Sequence, residues 1–344
     1  MINIVKQAAG IDVAQNELVV SLGRMGHDTG TDIFAFKTFP NNEKGFNDLL
    51  LWTDKLAIKG MKVRYVMEAT GVYHEKLAYY LSGQQQEVSI VLPNKISNYF
   101  RTLDVKTITD KTASQAICRF GLERKLEIWK KPKKIFKDLK QLTRERDQLI
   151  ADRTVLKNQL HAEKAEAFPS ESSIKRVTKR IQLINKQELE IKAEIDVIVK
   201  KDTELVKTID NITTIPGVGK LTAIIALAET NGFELIKSKK QLVSYSGLDV
   251  SLKDSGTSVK GKPKISKRGN RHLRKAMHMP ALAAMRFNEN HKAVFVRLVS
   301  KHGIKMKAVV AVQRKILELI YTIYNTGKAF DKDYEETKRQ VIEL

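Results

Sequence analysis

The chain has 344 residues and a formal net charge of +22, enough length for two or three domains with cores of their own and a charge that calls for a polyanion, nucleic acid before an anionic membrane surface. No apolar run is long enough to span a bilayer, no lipidation signal is visible, and the opening MINIVKQAAGIDVAQ lacks a secretory apolar region with a cleavage site. Cys118 is the only cysteine, which excludes an internal disulfide and zinc fingers and points to a reducing interior, and the scattered histidines form no HExxH pair.

Residues 1 to about 125 read as an α/β segment. Lys6 to Val13, Glu17 to Gly23 and Asp32 to Thr38 alternate as three successive strands. Asn41 or Asn42 suits the cap of a helix through Leu49, Leu50, Leu51 and Leu56. A strand over Val63 to Met67, a helix over Tyr73 to Leu81 and a strand over Val88 to Leu92, ended by Pro93, follow. Helices around Ile96 to Leu103 and Thr109 to Phe120 close the segment, which predicts a sheet covered on both faces.

Three acids here stand where chemistry can use them. Asp12 lies in the small-apolar strand AAGIDVA, Glu68 ends the strand YVMEA, and Asp110 opens the last helix. Two carboxylates on strands and one on a packed helix can converge on Mg²⁺, a hard ion that takes oxygen ligands. Each also has a plain reading: Asp12 as the start of a turn, Asp110 as a helix N-terminal charge. Asp12 is the hardest to dismiss, because burying an unpaired charge among apolar neighbours is costly.

The middle, about 126 to 205, follows Pro132 with Ile135, Leu139, Leu142, Leu149, Leu156 and Leu160 at steps of four and three, and with Arg146 and Arg153 at seam positions. Beyond Phe168-Pro169-Ser170, Ile174, Val177, Ile181, Ile184, Ile191, Ile195 and Ile198 keep the rhythm, with Glu188 in the seam. Two heptad arms of about 30 residues, roughly 45 Å each, predict an antiparallel helical hairpin. One thin hairpin leaves apolar surface uncovered, which favours an intermolecular role.

In the remainder, about 206 to 344, Pro216-Gly217-Val218-Gly219 before an apolar helix resembles a helix–hairpin–helix turn able to hold a phosphate. It is not a P-loop: Thr214 and Leu221 occupy positions that need Gly and Ser or Thr. Ser255-Gly256 then sits in a turn-like segment after a short apolar run, and Lys260, Lys262, Lys264, Lys267, Arg268, Arg271, Arg274 and Lys275 crowd downstream with no intervening acid. A hydroxyl on a turn beside dense positive charge suits attack on a phosphodiester whose backbone the cations grip. Ser251 and Ser258 compete for that role. Tyr245 is a weaker nucleophile candidate because no Arg-His-Arg set surrounds it. His272 and His278 read as phosphate contacts or packed residues. Apolar helices are expected over Pro280 to Phe287 and Met306 to Tyr324.

GIDVA, MEATGVYH and KTITDKTASQAICRFG resemble the RuvC-like, RNase H-fold domain of IS110-family transposases. IPGVGKLTA and YSGLDVSLKDSGTSVKGKPKISKRGNRHLRKAM resemble the family's transposase domain. The resemblance spans nearly the whole chain. It implies a RuvC-like metal-binding domain over 1–125, a coiled-coil hairpin over 126–205, and a mainly α transposase domain over 206–344. Asp12, Glu68 and Asp110 match three of the family's four acids and imply Mg²⁺. The fourth, three residues on, is Ala113 here, so one ligand is missing, as in an impaired enzyme or a chain altered to trap a complex. Ser255 matches the family nucleophile, although Val250 replaces the usual proline. Also implied are a covalent phosphoserine link, a structured guide RNA, donor and target DNA, and no membrane partner. Acids of one subunit would work with the serine of another, in domain-exchanged dimers paired into a tetramer. The expected location is the bacterial cytoplasm, on the nucleoid. Two alternatives are a metal-dependent nuclease of the Holliday-junction-resolvase kind, for which Ser255 is dispensable, and a nucleic-acid-binding relative that has lost catalysis.

Overall fold

The structure, a computed structural model, describes residues 4–69, 71–103, 105, 107, 109–234, 236–252, 254, 255 and 259–331; the side chains at 254, 255, 259 and 260 lie outside that description. The chain divides into two compact units, residues 1–131 and 132–344.

In the first unit β1 (Ile4–Val13), β2 (Glu17–Gly26) and β3 (Thr31–Pro40) form an antiparallel meander. After α1 (Glu43–Leu56) the chain alternates through β4 (Val63–Glu68), α2 (His74–Gly83), β5 (Glu87–Val91), α3 (Pro93–Phe100) and α4 (Asp110–Glu123). The sheet order is β3-β2-β1-β4-β5, with β4 and β5 parallel to the central β1. Asn42 is the α1 cap, accepting a hydrogen bond from the Gly45 amide at 3.0 Å.

Alternation along the strands sorts the core to two faces. Ala9, Ile11 and Val13 of β1 pack with Phe46 and Leu49 of α1 and Leu77 and Leu81 of α2. Ala8 packs with Cys118 and Leu122 of α4, and Val66 of β4 with Ile117 and Phe120 of α4. Both faces are therefore covered, as the strand–helix alternation predicts. Gly23 does not end β2. The strand runs to Gly26, and Gly23 instead marks a register shift against β3, where a β-carbon would stand 2.9 Å from the Cys118 Sγ. Pro93 likewise opens α3 at its first turn rather than merely closing the strand before it.

In the second unit α5 (Lys134–Ala165) and α6 (Glu171–Lys200) form the predicted hairpin, with Ser170 capping α6. Its seam residues Ile181, Ile184, Ile191 and Ile195 are buried within the unit. Toward the turn the seam is less covered, with Leu149, Leu156, Leu160 and Ile174 only half-buried. Val155, Leu183, Leu189 and Val197 do remain exposed. The base of the hairpin, through Leu139, Leu142, Ile195 and Val199, shares one core with the helices that follow.

Those helices are α7 (Thr203–Thr213), α8 (Lys220–Thr230) and α9 (Lys239–Ser246). Short strands β6 (Val250–Ser251), β7 (Asp254–Ser255), β8 (Val259–Lys260) and β9 (Lys264–Ile265) come next. The unit ends with α10 (Arg271–Ala276), α11 (His278–Phe287), α12 (Glu289–His302) and α13 (Lys305–Thr326). Helix α13 carries the centre of the core, with Val312, Ile316, Leu317 and Ile320 fully buried. The periodicity reading passes over α12, in which Val294 and Phe295 are half-buried and Val296 is exposed. Its ends are nonetheless marked, by the Asn288 cap and by Gly303 in the left-handed region at φ 67°.

Candidate active site and nucleic-acid interface

Asp12 is placed by the way α4 lies on β1. The helix runs antiparallel to the strand: Leu122 lies against Ala8, Cys118 against Ala8 and Gly10, and Ser114 against Gly10. Gly10 is required there, since a β-carbon would fall 2.1 Å from the Cys118 amide nitrogen and 2.4 Å from the Ser114 carbonyl oxygen. Four polar contacts hold α4 and the residue just beyond it to β1 and β2. The Ser21 and Ser114 hydroxyls meet at 2.7 Å, the Cys118 thiol donates to the Ala8 carbonyl at 3.1 Å, and Lys6 Nζ donates to the Leu122 and Arg124 carbonyls at 2.9 and 2.8 Å. Burial pushes the Cys118 thiol up to about 12, so it serves packing rather than chemistry.

Ala8 and Gly10 face α4, and Asp12 is the next residue of β1 on that face. On β4 Val66 faces α4, and Glu68 follows it two residues on. Ile11 pairs with Met67 in the parallel ladder, so Asp12 and Glu68 each come one step beyond the same rung. Helix α4 begins one turn beyond Ser114, at Asp110. Thr109 fixes that start: its Oγ1 accepts from the Thr112 amide at 3.2 Å while Thr112 Oγ1 accepts from the Thr109 amide at 2.8 Å. All three acids therefore collect at the carboxyl end of the two parallel strands. The electrostatics agree: burial, the Asp110 charge and the Glu68 charge together push the half-buried Asp12 carboxyl up to about 6.

Ala113 is half-buried on the same helix, one turn before Ile117, which packs with Val66 of β4. Position 113 thus lies on the side of α4 nearer β4, the strand that carries Glu68. Asp104, too far upstream of Asp110 to match the family's fourth acid, lies outside the described residues.

The donor set suits a hard divalent cation, because every candidate ligand is a carboxylate and their mutual repulsion is what a cation would relieve. Among the described residues no three Asp, Glu, His or Cys side chains stand close enough together to hold a metal ion as they are. Sequence reading did not find Asn41 in this neighbourhood except as a possible cap. Its Nδ2 donates to the Ala14 carbonyl at 2.8 Å and the Tyr73 carbonyl at 3.3 Å, joining the chain just past Asp12 to the loop that follows Glu68.

In the second unit Ser255 lies in β7. Val250 and Ser251 pair with Ile265 and Lys264, and farther out Asp254 and Ser255 pair with Lys260 and Val259. The serine therefore sits at the outer pairing of a short β-ribbon rather than in a turn. Its side chain, Gly256 and Ser258 lie outside the described residues, as does the Lys260 side chain. Lys262, Lys264, Lys267, Arg268 and Arg271 are exposed along the ribbon's return and the start of α10. Arg274 is half-buried, with its Nη1 donating to the Ser246 carbonyl at 2.8 Å, so part of its role is structural.

Other candidates resolve differently. The Tyr245 hydroxyl donates to the Glu229 carbonyl at 2.8 Å, and burial raises its pKa, which suits a structural tyrosine. His272 Nδ1 lies 3.5 Å from Asp147, and His278 Nδ1 lies 3.0 Å from Gln313 Nε2. At the Pro216–Gly219 turn Gly217 has φ +91° and a β-carbon there would meet the Pro280 carbonyl at 2.7 Å, so the glycine serves close packing against α11.

A profile of IS110-type DEDD proteins, described as transposase, matches residues 9–169, and one described as the IS116/IS110/IS902 transposase family matches residues 209–296. The chain belongs to the IS110 family of transposases. It is 29% identical to the pilin gene-inverting protein of Moraxella bovis over 341 residues, 96% of this chain and 99% of that one. The protein of the same name from Moraxella lacunata is 29% identical over 338 residues, with the same shares of the two chains. Among solved structures, a T. thermophilus RuvC in complex with Holliday junction substrate aligns with 36% of this chain and 99% of its own, at 7% identity and a TM-score of 0.28.

Proposed function

We propose that this chain is a recombinase that cuts and rejoins DNA through a phosphoserine intermediate, with an RNase H-like first unit and a structured RNA as guide. The observation that supports it most is the gathering of Asp12, Glu68 and Asp110 at one end of the sheet, with Asp12 feeling both of the others. Near full-length similarity to proteins named for inverting a pilin gene supports strand exchange, since inversion requires strands to be cut and rejoined. The guide RNA, the dimers paired into a tetramer and the location on the bacterial nucleoid rest on the family resemblance alone. So does the division into 1–125, 126–205 and 206–344.

In this reading Ser255 Oγ attacks phosphorus. One O–P bond forms as one P–O ester bond breaks, and the serine proton ends on the released deoxyribose oxygen. Reversal of the step with another strand's hydroxyl rejoins DNA without ATP, because the ester energy is kept. Mg²⁺, when held by Asp12, Glu68 and Asp110, supplies Lewis acidity at the scissile phosphate. Lys260, Lys262, Lys264, Lys267, Arg268, Arg271 and Arg274 grip phosphate backbones, so base pairing rather than side chains would read sequence.

Ala113 favours a second reading, a relative weakened in cleavage that still binds nucleic acid. One experiment separates the two. Protein, RNA and labelled DNA are incubated with Mg²⁺, denatured, and examined for DNA attached to protein. The recombinase reading expects an adduct that Ser255→Ala abolishes. Cleavage that survives Ser255→Ala indicates a water-using nuclease. No reaction, even from Ala113→Asp, leaves a binding protein.

A further inference from the structure

Glu229, next to last in α8, has a side chain with no exposed surface. Arg144 of α5 donates to both its carboxylate oxygens, Nε at 2.7 Å and Nη2 at 2.9 Å, and Asn270 Nδ2 donates at 2.6 Å. The Tyr245 hydroxyl takes the Glu229 carbonyl, and the Asn270 amide donates to the Tyr245 carbonyl at 2.7 Å.

These contacts meet at one place in the chain. Tyr245 is the last turn of α9 before the ribbon departs, and Asn270 is the residue at which it returns and caps α10. The returning end of the serine-bearing excursion is held by the Glu229 carboxylate through Asn270, and the departing end, at Tyr245, bonds the backbone carbonyl of the same residue. Further stitches close the same base: the Lys267 amide donates to the Gly247 carbonyl at 3.1 Å, and a β-carbon at Gly269 would stand 2.4 Å from the Tyr245 carbonyl oxygen. One turn along α5 from Arg144, Asp147 meets Lys275 of α10 at 3.3 Å. A fully buried carboxylate is an expensive way to fill a core, and an apolar side chain would serve packing as well. The carboxylate's directional bonds to α5 and to the cap of α10 give something packing does not, a fixed angle between those two elements.

We propose that Glu229 is a positioning residue that sets how the β6–β9 ribbon presents Ser255, and that Arg144 couples this setting to the helical hairpin. The inference rests on Ser255 being the nucleophile. Small displacements of a reacting atom cost rate far more than binding, on the order of 100-fold for about 1 Å.

The test compares Glu229→Gln, which loses the charge, with Arg144→Lys at a partly exposed site, which keeps the charge but loses the two-pronged bond. Single-turnover formation of the protein–DNA adduct is measured beside DNA affinity, thermal melting and amide exchange. The expected result is a fall of about tenfold or more in adduct rate. DNA affinity should stay within about twofold and Arg144→Lys should melt normally, with faster exchange confined to 246–270. Rates within about twofold of the parent in both variants overturn the proposal. A loss of rate that tracks general unfolding, with exchange rising throughout α7 and α8, also overturns it. Adduct persisting in Ser255→Ala overturns the nucleophile assignment itself, and that outcome is separate from the other two.

Discussion

Gly10 of β1 lies under the backbone of Cys118 in α4, close enough that a β-carbon on the glycine would overlap the Cys118 amide nitrogen at 2.1 Å. Neither partner can yield as a flexible side chain would, since both are backbone within regular elements. Gly10→Ala must therefore lift α4 from the sheet, and with it the helix start that carries Asp110. The expected outcome is a loss of about 3 kcal/mol of stability, the upper end for overpacking, together with weaker Mg²⁺ dependence of any strand cleavage. Denaturant melts with and without Mg²⁺ check it. A variant as stable as the parent would show that the helix rides higher on the sheet than described.

Ala113 stands three residues beyond Asp110 on the flank of α4 nearer β4 and is half-buried. Ala113→Asp should add a fourth negative group to a set that already repels, lowering stability without metal. If Asp12, Glu68 and Asp110 hold Mg²⁺, the added charge becomes a further ligand. Metal affinity should rise about 10-fold or more, the scale at which partners of a metal site act, and the melting shift on adding Mg²⁺ should grow with it. Mg²⁺-dependent strand transfer should increase as well. Ala113→Asn, without the charge, is the control. Equal metal response in both variants, or none in either, would remove Asp110 and position 113 from the metal assignment.

The parts of this site that sequence reveals are those tied to short-range chemistry. Asp12 stands out because an acid in a small-apolar strand is costly to bury, and Asp110 because it follows Thr109 at a helix start. The α5–α6 arms show because their apolar steps persist over many turns. Other parts depend on contacts between distant residues. Gly10 reads as one small residue among several until α4 lies across it, and nothing around Glu229 announces that Arg144, 85 residues earlier, will meet it. Ser255 is proposed from pattern, and its place on a ribbon of two-residue strands is not legible in the sequence. Such strands are too short to show alternation, and their pairing is set by the stitched base at Tyr245 and Asn270.

The exposed lysines on the returning arm of the ribbon carry a prediction about salt. Lys262 and Lys264 are exposed on a segment with no acid between residues 255 and 275. If they contact phosphates, Lys262→Ala and Lys264→Ala each weaken binding evenly across DNA sequences. Each should also reduce the slope of log affinity against log salt by about one. Melting temperature should not change. Binding titrations over a range of salt, on two unrelated duplexes, measure both effects. An unchanged slope in the double variant places the backbone contacts elsewhere.

Glu188, buried in the hairpin seam, tests whether ionic contacts fix the pairing of α5 with α6. It bonds Arg146 at 2.9 Å and Arg153 at 2.5 Å from the facing arm, and Lys192 on its own helix at 2.9 Å. Burial alone would raise its pKa, but the bonds from Lys192 and Arg153 and the Arg146 charge hold it down to about 2. A carboxylate held low in the folded state stabilises fully above its unfolded pKa, near 4.5, and the contribution fades as pH falls toward 2. Glu188→Gln should cost about 2 kcal/mol near neutral pH, because charge-assisted bonds to the two arginines are lost. The gap between variant and parent should narrow between about pH 4.5 and pH 2, where the parent's own carboxylate becomes protonated. Melting curves across that range decide it. A gap that stays constant with pH would mean that Glu188 acts by shape rather than by charge, and that the apolar seam alone sets the register of the hairpin.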